Sequence, residues 1–310
     1  MEQRMSIVAA LKGKGPNGLG YATTALEATE GCDLTGKTML VTGCNSGIGL
    51  ETARALARRG ARVIATARTI EKARETCATL EGQFLPLALE LSEPASVRAC
   101  VAAVKKDAAP LDAIVCNAGV MSIPTPQQRF GWELHLYTNH IGHFILVTGL
   151  LDRLAPAGRV VVTGSAAHRR APPGGIDFDD LAGARGYVPM KAYGVSKLAN
   201  VLFARELARR LPAAQTANTL HPGVIATNIV RSMSVPARAA FRILAPLALK
   251  TAAQGAATQS YLAASPAVAS VTGAYYADCN PSETTPLGRD AALAARLWEA
   301  SEALVARIPA

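Results

Sequence analysis

The chain has 310 residues, a formal net charge of +9 and an apolar fraction of one half; that much apolar surface builds a sizeable core and excludes a globally disordered chain. Aromatic residues make up only 5%, too few for a surface that stacks nucleic-acid bases. The positive charge is dispersed beside helical Ala and Leu, as at Arg54, Arg58, Arg205 and Arg209, which suits solvated helix faces plus one phosphate site and no nucleic-acid partner.

Residues 1–33 read as an N-terminal extension, flexible and turn-rich between Lys12 and Gly18. Residues 34–310 read as one domain. Its expected strands are 39–41, 62–66, 84–89, 111–115, 159–163, 216–220 and 274–277, and its expected helices are 51–59, 70–80, 94–106, 127–154, 191–211 and 289–306. Short buried strands alternating with helices indicate an α/β, doubly wound parallel sheet of about seven strands, with helices on both faces. The stretch 229–250 is apolar with interspersed Arg. It reads as a substrate lid over an apolar pocket, or as an amphipathic helix packed on the core or on another subunit.

No uncharged apolar run approaches the roughly 18 residues of a membrane span. The six cysteines lack C-x-x-C spacing and read as reduced thiols in a cytoplasmic protein. His140, His143, His168 and His221 have no metal-ligand spacing and read as structural or pocket-lining; no metal is expected.

Two glycine-rich stretches compete for a phosphate. Residues 31–38 match the pattern G-x-x-x-x-G-K-[ST], but a strand follows where that loop needs a helix, so this is a turn feeding the first strand. The stretch containing Gly43, Asn45, Ser46, Gly47, Ile48 and Gly49 lies between the first strand and a helix, the context a dinucleotide pyrophosphate requires. No acid stands at the end of the second strand to take a ribose 2′-hydroxyl; Arg68 stands there instead, a cation for a 2′-phosphate, which favours NADP(H) over NAD(H).

Tyr193 and Lys197 are four residues apart on an expected helix and share a face. A nearby ammonium favours phenolate, so the pair suits proton transfer to a carbonyl or from an alcohol. Ser165 follows the fifth strand at the carboxyl edge, where its hydroxyl can meet a substrate oxygen as charge develops.

With Thr42-Gly43 to Gly49, Asn117-Ala118-Gly119, Asn139, Ser165, Tyr193 with Lys197 and His221-Pro222-Gly223 to Thr227 in this order, the chain resembles the short-chain dehydrogenase/reductase family over about residues 34–280. Asn139-His-Ile-Gly-His-Phe, the residues from Tyr193 to Leu207 and the long insertion before Tyr193 are similar to its retinol-dehydrogenase-like and WW-domain-oxidoreductase-like branch. The resemblance implies a Rossmann-type fold and hydride transfer between NADP(H) and a small apolar carbonyl or alcohol. It also implies roles: Tyr193 as proton donor and acceptor, Lys197 holding the nicotinamide ribose and lowering the Tyr193 pKa, Ser165 orienting the carbonyl, and Asn139 holding a water toward Lys197. Pro222, Gly223 and Thr227 would contact the nicotinamide end, and Leu91, Asn117, Ala118 and Gly119 the adenosine side. Glu90, Cys116 and Gly164 depart from residues common in the family. The other function class is an NADP(H)-binding sensor or scaffold with little turnover, and homo-oligomerisation is left open.

Overall fold

The computed structural model describes residues 7–107, 109–225 and 249–309. The strands are β1 (Thr38–Val41), β2 (Arg62–Ala67), β3 (Gln83–Ala88), β4 (Leu111–Cys116), the short pair β5 (Gln128–Arg129) and β6 (Trp132–Glu133), then β7 (Leu154–Thr163), β8 (Thr216–His221), β9 (Tyr275–Ala277) and β10 (Asn280–Pro281). The main sheet runs β10-β9-β8-β7-β4-β1-β2-β3 and is parallel throughout except at β9–β10. Its eighth strand, one more than the sequence suggests, is the two-residue β10. It turns back through Asp278 and Cys279, both in the left-handed region at φ 52° and 62°. Strand order reverses beside β1, between β4 and β2, and such a switch point opens a crevice at the carboxyl ends of the strands.

Both faces of the sheet are covered by helices, numbered in chain order from α1 (Ile7–Lys12), α2 (Ala25–Ala28), α3 (Gly47–Arg58), α4 (Ile70–Ala78), α5 (Pro94–Asp107) and α6 (Leu134–Leu136) onward. Successive strand residues face opposite sides. Leu40, Ile64, Ile114 and Val160 face one layer, which includes α5 (Pro94–Asp107), α7 (Gly142–Leu150), α8 (Pro189–Arg210) and the C-terminal helix Ala291–Arg307. Met39, Val41, Val63, Val115 and Val161 face the other, with α3 (Gly47–Arg58) and helix Ala257–Ala264. Each fully buried Leu or Ile in these layers contributes on the order of 1.5–3 kcal/mol. Trp298 anchors the C-terminal helix: its ring lies 4.9 Å from Phe144 and 5.9 Å from Phe203, and the Arg210 guanidinium lies 4.4 Å away.

The single helix expected over 127–154 is broken into pieces. Phe130 and Gly131, at φ 49° and 80°, turn the chain into the β5–β6 hairpin. One helical turn (Leu134–Leu136), a π turn (Tyr137–Ile141), α7 and a 3-10 turn (Leu151–Arg153) follow. Apolar spacing alone does not register a left-handed residue, and residues 135–147 are buried on every side, so no one-sided pattern exists in which a π turn would show as a shift of face. Of the expected lid, only Leu249 and Lys250 belong to the described residues; the rest lies outside them, as does Thr227.

The turn-rich stretch before β1 is tied to the far end of the sheet. Asn17 Nδ2 donates to the Cys279 carbonyl at 2.8 Å, Asn280 Nδ2 to the Leu19 carbonyl at 3.1 Å, and Gln254 Nε2 to the Ala22 carbonyl at 3.1 Å. Between these contacts lies Lys250, its side chain fully buried, with Nζ 2.6 Å from Asp278 Oδ1; Lys12 reaches the other Asp278 oxygen at 3.3 Å. Burial acts to raise the Asp278 pKa, but the two ammonium groups outweigh it and hold the carboxyl below its ordinary value. A depressed carboxylate pKa contributes stability above the unfolded value of about 4 and loses it as pH falls through the folded value. Asp278→Asn leaves Lys250 buried without its counter-charge, a loss on the order of 3–5 kcal/mol. Thermal unfolding at neutral pH is expected to show a lower Tm, with the gap to wild type narrowing below about pH 4. An unchanged Tm would mean that the pair holds nothing in place.

Candidate active site

The loop from β1 to α3 is shaped for a group larger than a side chain. Gly43 has φ 73°, and a Cβ there would lie 2.9 Å from the Ala118 Cβ; a Cβ on Gly49 would lie 2.2 Å from the Gly43 carbonyl oxygen. These two glycines let the loop, β4 and the start of α3 close on one another. Gly47, at φ 62°, faces open space. Ser46 occupies the N-cap without a side-chain cap bond, so the first-turn amides of α3 are not taken by it. Such a helix terminus carries partial positive charge and free N–H donors, and it suits a pyrophosphate. Asn45 and Ser46 are exposed and Ile48 is half-buried. The residues present therefore fit a dinucleotide.

Thr42 joins this loop to the end of β4. Its hydroxyl oxygen accepts from the backbone N–H groups of Asn117 and Ala118, both at 2.9 Å, and lies 3.0 Å from His143 Nε2. With two donors on the oxygen, the hydroxyl proton goes to Nε2, so the His143 ring proton sits on Nδ1, 3.1 Å from the Asn139 carbonyl. Burial pushes the His143 pKa down to about 4, in keeping with a neutral ring. Asn139 lies in the π turn, and its side chain is also committed: Oδ1 accepts from the Val120 N–H at 2.7 Å, and Nδ2 donates to the Val120 carbonyl and to Ser196 Oγ at 3.0 and 2.9 Å. Such turns recur at functional sites.

α8 opens with Pro189 at its first position, where a missing N–H costs nothing. It carries Tyr193 and Lys197 on one face. Lys197 is buried; Nζ donates to the Thr163 carbonyl at 3.0 Å, which also accepts from Asn200 Nδ2 at 3.1 Å. Burial lowers the Lys197 pKa to about 8. Nζ lies over the Tyr193 ring, 5.7 Å from its centroid. Burial raises the phenol's pKa, and the Ser165 hydroxyl, hydrogen-bonded to it, pulls the other way. In this structure burial, not Lys197, sets the direction of the Tyr193 shift. Ser165 follows β7 and also caps the next turn, its Oγ accepting from the Ala167 N–H at 3.1 Å.

Gly43 to Gly49, Asn117 to Gly119, Asn139, Ser165, Tyr193, Lys197, Pro222 and Gly223 thus come from the carboxyl ends of β1, β4, β7 and β8 and from the helices beside them. The Asn117 side chain is turned inward, however: Nδ2 donates to the Thr42 carbonyl at 2.8 Å and Oδ1 accepts from Gln259 Nε2 at 3.1 Å. Leu91 is buried, and its carbonyl packs so closely on α7 that a Cβ at Gly142 would come within 2.5 Å of it. Arg68 is exposed at the end of β2. The departures have local causes. A Cβ on Gly164 would fall 2.8 Å from the Leu220 carbonyl, and Glu90 Oε1 accepts from both the N–H and the hydroxyl of Ser92. The four histidines weighed in the sequence all have hydrogen-bond partners: Ser301 for His140, Thr42 and Asn139 for His143, Ser165 and Thr284 for His168, Ala166 for His221. Sequence reasoning names Thr42 only as the opening of the glycine loop and gives no role to Ser196, Gln259 or His135, which carry no motif signal of their own.

The family model for short chain dehydrogenases matches residues 37–178. Mouse retinol dehydrogenase 14 is 39% identical over 291 residues, covering 87% of this chain and 86% of the relative. A crystal structure of an uncharacterized protein from Mycobacterium Paratuberculosis has a TM-score of 0.74 at 33% identity, covering 90% of this chain and 97% of the other. A short chain dehydrogenase from Burkholderia cenocepacia in complex with NADP has a TM-score of 0.63 at 27% identity, over 79% of this chain and 96% of the other. With its parallel sheet, its glycine loop and Tyr193 above Lys197, the chain belongs to the short-chain dehydrogenase/reductase family, in the retinol-dehydrogenase-like branch, and is an NAD(P)-dependent oxidoreductase.

Proposed function

We propose that the chain uses NADP(H) to interconvert a carbonyl and an alcohol on a small apolar substrate, with Tyr193 as general acid and base. The observation that carries this reading is geometric: Tyr193 stands at the carboxyl edge of the sheet beside Ser165, with the buried Lys197 ammonium over its ring, 5.7 Å from the centroid. A phenol with a raised pKa is protonated at neutral pH, the form that delivers a proton to a carbonyl oxygen. Ser165 Oγ takes the Ala167 N–H on a lone pair, and its hydroxyl proton, aimed at the phenol, can turn to the carbonyl oxygen as negative charge develops there. Lys197, held by the Thr163 carbonyl, offers its remaining donors to the ribose hydroxyls and loses its charge above about pH 8. When bound, the nicotinamide supplies a hydride to the carbonyl carbon in reduction and accepts one in oxidation. An exposed Arg68 at the end of β2, with no acid beside it in the strand, supports NADP(H). A pure sensor has no need of the Asn139, Ser165, Tyr193 and Lys197 set, and no observation favours that alternative.

The apolar preference rests on three exposed large side chains from the segments around the site: Met121 after β4, Val188 before Tyr193, and Val224 after β8, exposed by 43%, 54% and 51%. All six cysteines are unpaired, which supports a cytoplasmic location. Among the described residues, no helix is long and apolar enough to cross a membrane.

Tyr193→Phe is expected to lower NADPH oxidation with apolar aldehydes and ketones by about 10²–10⁴-fold while NADPH still binds; fluorescence titration and initial rates check both parts, and a fully active variant would end the proposal. Arg68→Ala is expected to weaken NADPH binding by about tenfold to a hundredfold, the worth of charge-assisted bonds to a phosphate, and to leave NADH binding unchanged. Equal loss for both cofactors, or none, would count against the NADP(H) assignment.

A further inference from the structure

His135 belongs to no motif, yet its side chain lies in the wall of the site with no solvent exposure. Its ring centroid is 6.1 Å from that of Tyr193 and 6.5 Å from that of Tyr187. Nε2 lies 3.1 Å from the Ile123 N–H and accepts from it, which puts the ring proton on Nδ1, 2.7 Å from Glu133 Oε1. The other Glu133 oxygen takes the Leu136 N–H at 3.0 Å. A buried carboxylate is costly unless each oxygen is satisfied, and here both are. The pair therefore forms a rigid bracket presenting one acceptor to the segment that follows Gly119.

That segment is held at two backbone positions. At its start, Asn139 takes both the N–H and the carbonyl of Val120; just before it, a Cβ on Gly119 would lie 3.7 Å from Lys197 Nζ. At its end, Ile123 gives its N–H to His135 and its carbonyl accepts from the Tyr187 hydroxyl at 2.7 Å. Only Met121 and Ser122 lie between. Ser122, at φ 57°, turns toward Met190, with its hydroxyl 3.4 Å from that sulfur. Met121 is left exposed, as is Val188, which follows Tyr187 directly. Of the three side chains that carry the apolar preference, Val188 thus follows a residue bonded to Ile123, and Met121 lies two residues before Ile123.

We infer that His135 is a positioning residue for substrate: by holding Ile123 it sets Met121, with Val188 opposite, as an apolar wall for the alkyl part of a carbonyl substrate presented to Tyr193. This deepens the function proposed above and rests on it.

The test compares His135→Leu, which removes both hydrogen bonds, with His135→Gln, whose amide can accept from Ile123 and donate to Glu133. Rates at saturating NADPH are measured with decanal and with propanal, alongside NADPH affinity and Tm. His135→Leu is expected to raise KM for decanal by about tenfold, to leave NADPH affinity and the propanal KM within about threefold, and to be rescued by His135→Gln, the pattern of lost substrate positioning. Met121→Ser, at an exposed position, gives the same decanal-specific rise without a change in Tm, and serves if His135→Leu does not fold. An unchanged ratio of decanal to propanal KM in Met121→Ser or His135→Leu overturns the inference, as does a His135→Gln variant no better than His135→Leu. Calorimetric binding of decanol to the NADP⁺ complex separates the two claims. A wild type that binds decanol without oxidising it or reducing decanal defeats the proposed activity, while the His135 wall still stands or falls on decanol affinity in the same variants. A wild type that binds no decanol overturns the wall.

Discussion

The hydroxyl of Thr42 lies with no solvent exposure at the end of β1, where it meets two backbone N–H groups from the end of β4 and one ring nitrogen from α7. A parallel sheet ends in backbone groups that have run out of strand partners, and buried ones must be satisfied by something else. Here one side-chain oxygen closes the gap between β1 and β4, the two strands at the switch point. The close approach of Gly43 to Ala118, and of Gly49 to Gly43, depends on that closure. So does the path through His143 to Asn139 and on to the start of the segment bearing Met121.

Burial governs the chemistry on the other side of the crevice. Lys197, His143 and Tyr193 all leave bulk water, and each is shifted toward its neutral form: the ammonium and the imidazole downward, the phenol upward. Desolvation disfavours charge whatever its sign. Hydrogen bonds then decide what each neutral or charged form can do. Lys197 keeps a carbonyl partner in Thr163, His143 is fixed in one tautomer by Thr42, and Tyr193 has Ser165. The Lys250–Asp278 pair is the contrasting case, where a fully buried ammonium keeps a carboxylate at contact distance and ties the N-terminal stretch to the end of the sheet.

Much of the fold could be read from the sequence because two simple periods carry it. Apolar runs of three or four residues, Met39–Val41, Val63–Ala65 and Ala113–Cys116, lie in strands buried on both faces, and the glycine loop between β1 and α3 announces a ligand-binding turn. Tyr193 and Lys197 were legible for the same reason, since four residues on a helix is one turn. The stretch 127–154 was not legible. Its apolar spacing is compatible with one helix, while the break depends on Phe130 and Gly131 adopting positive φ and on a π turn inside a stretch, 135–147, that is buried on every side. The motif around Asn117 points to a cofactor, and what it does not disclose is that the side-chain amide is spent within the protein, on Thr42 and Gln259.

The sequence by itself determined the fold class, seven strands of the main sheet and most of the helices between them, the glycine cradle and the Tyr193–Lys197 pair, because each depends on residues close together in the chain. Only the tertiary structure decided which way the Tyr193 acidity shifts, where the amides of Asn117 and Asn139 are spent, and that His135 and Glu133 stand behind the Ile123 backbone. Those outcomes depend on desolvation and on hydrogen bonds between segments such as Thr42 and Asn117, or Thr163 and Gln259, that lie far apart in the chain. A local pattern carries no information about which distant group will fill the last lone pair.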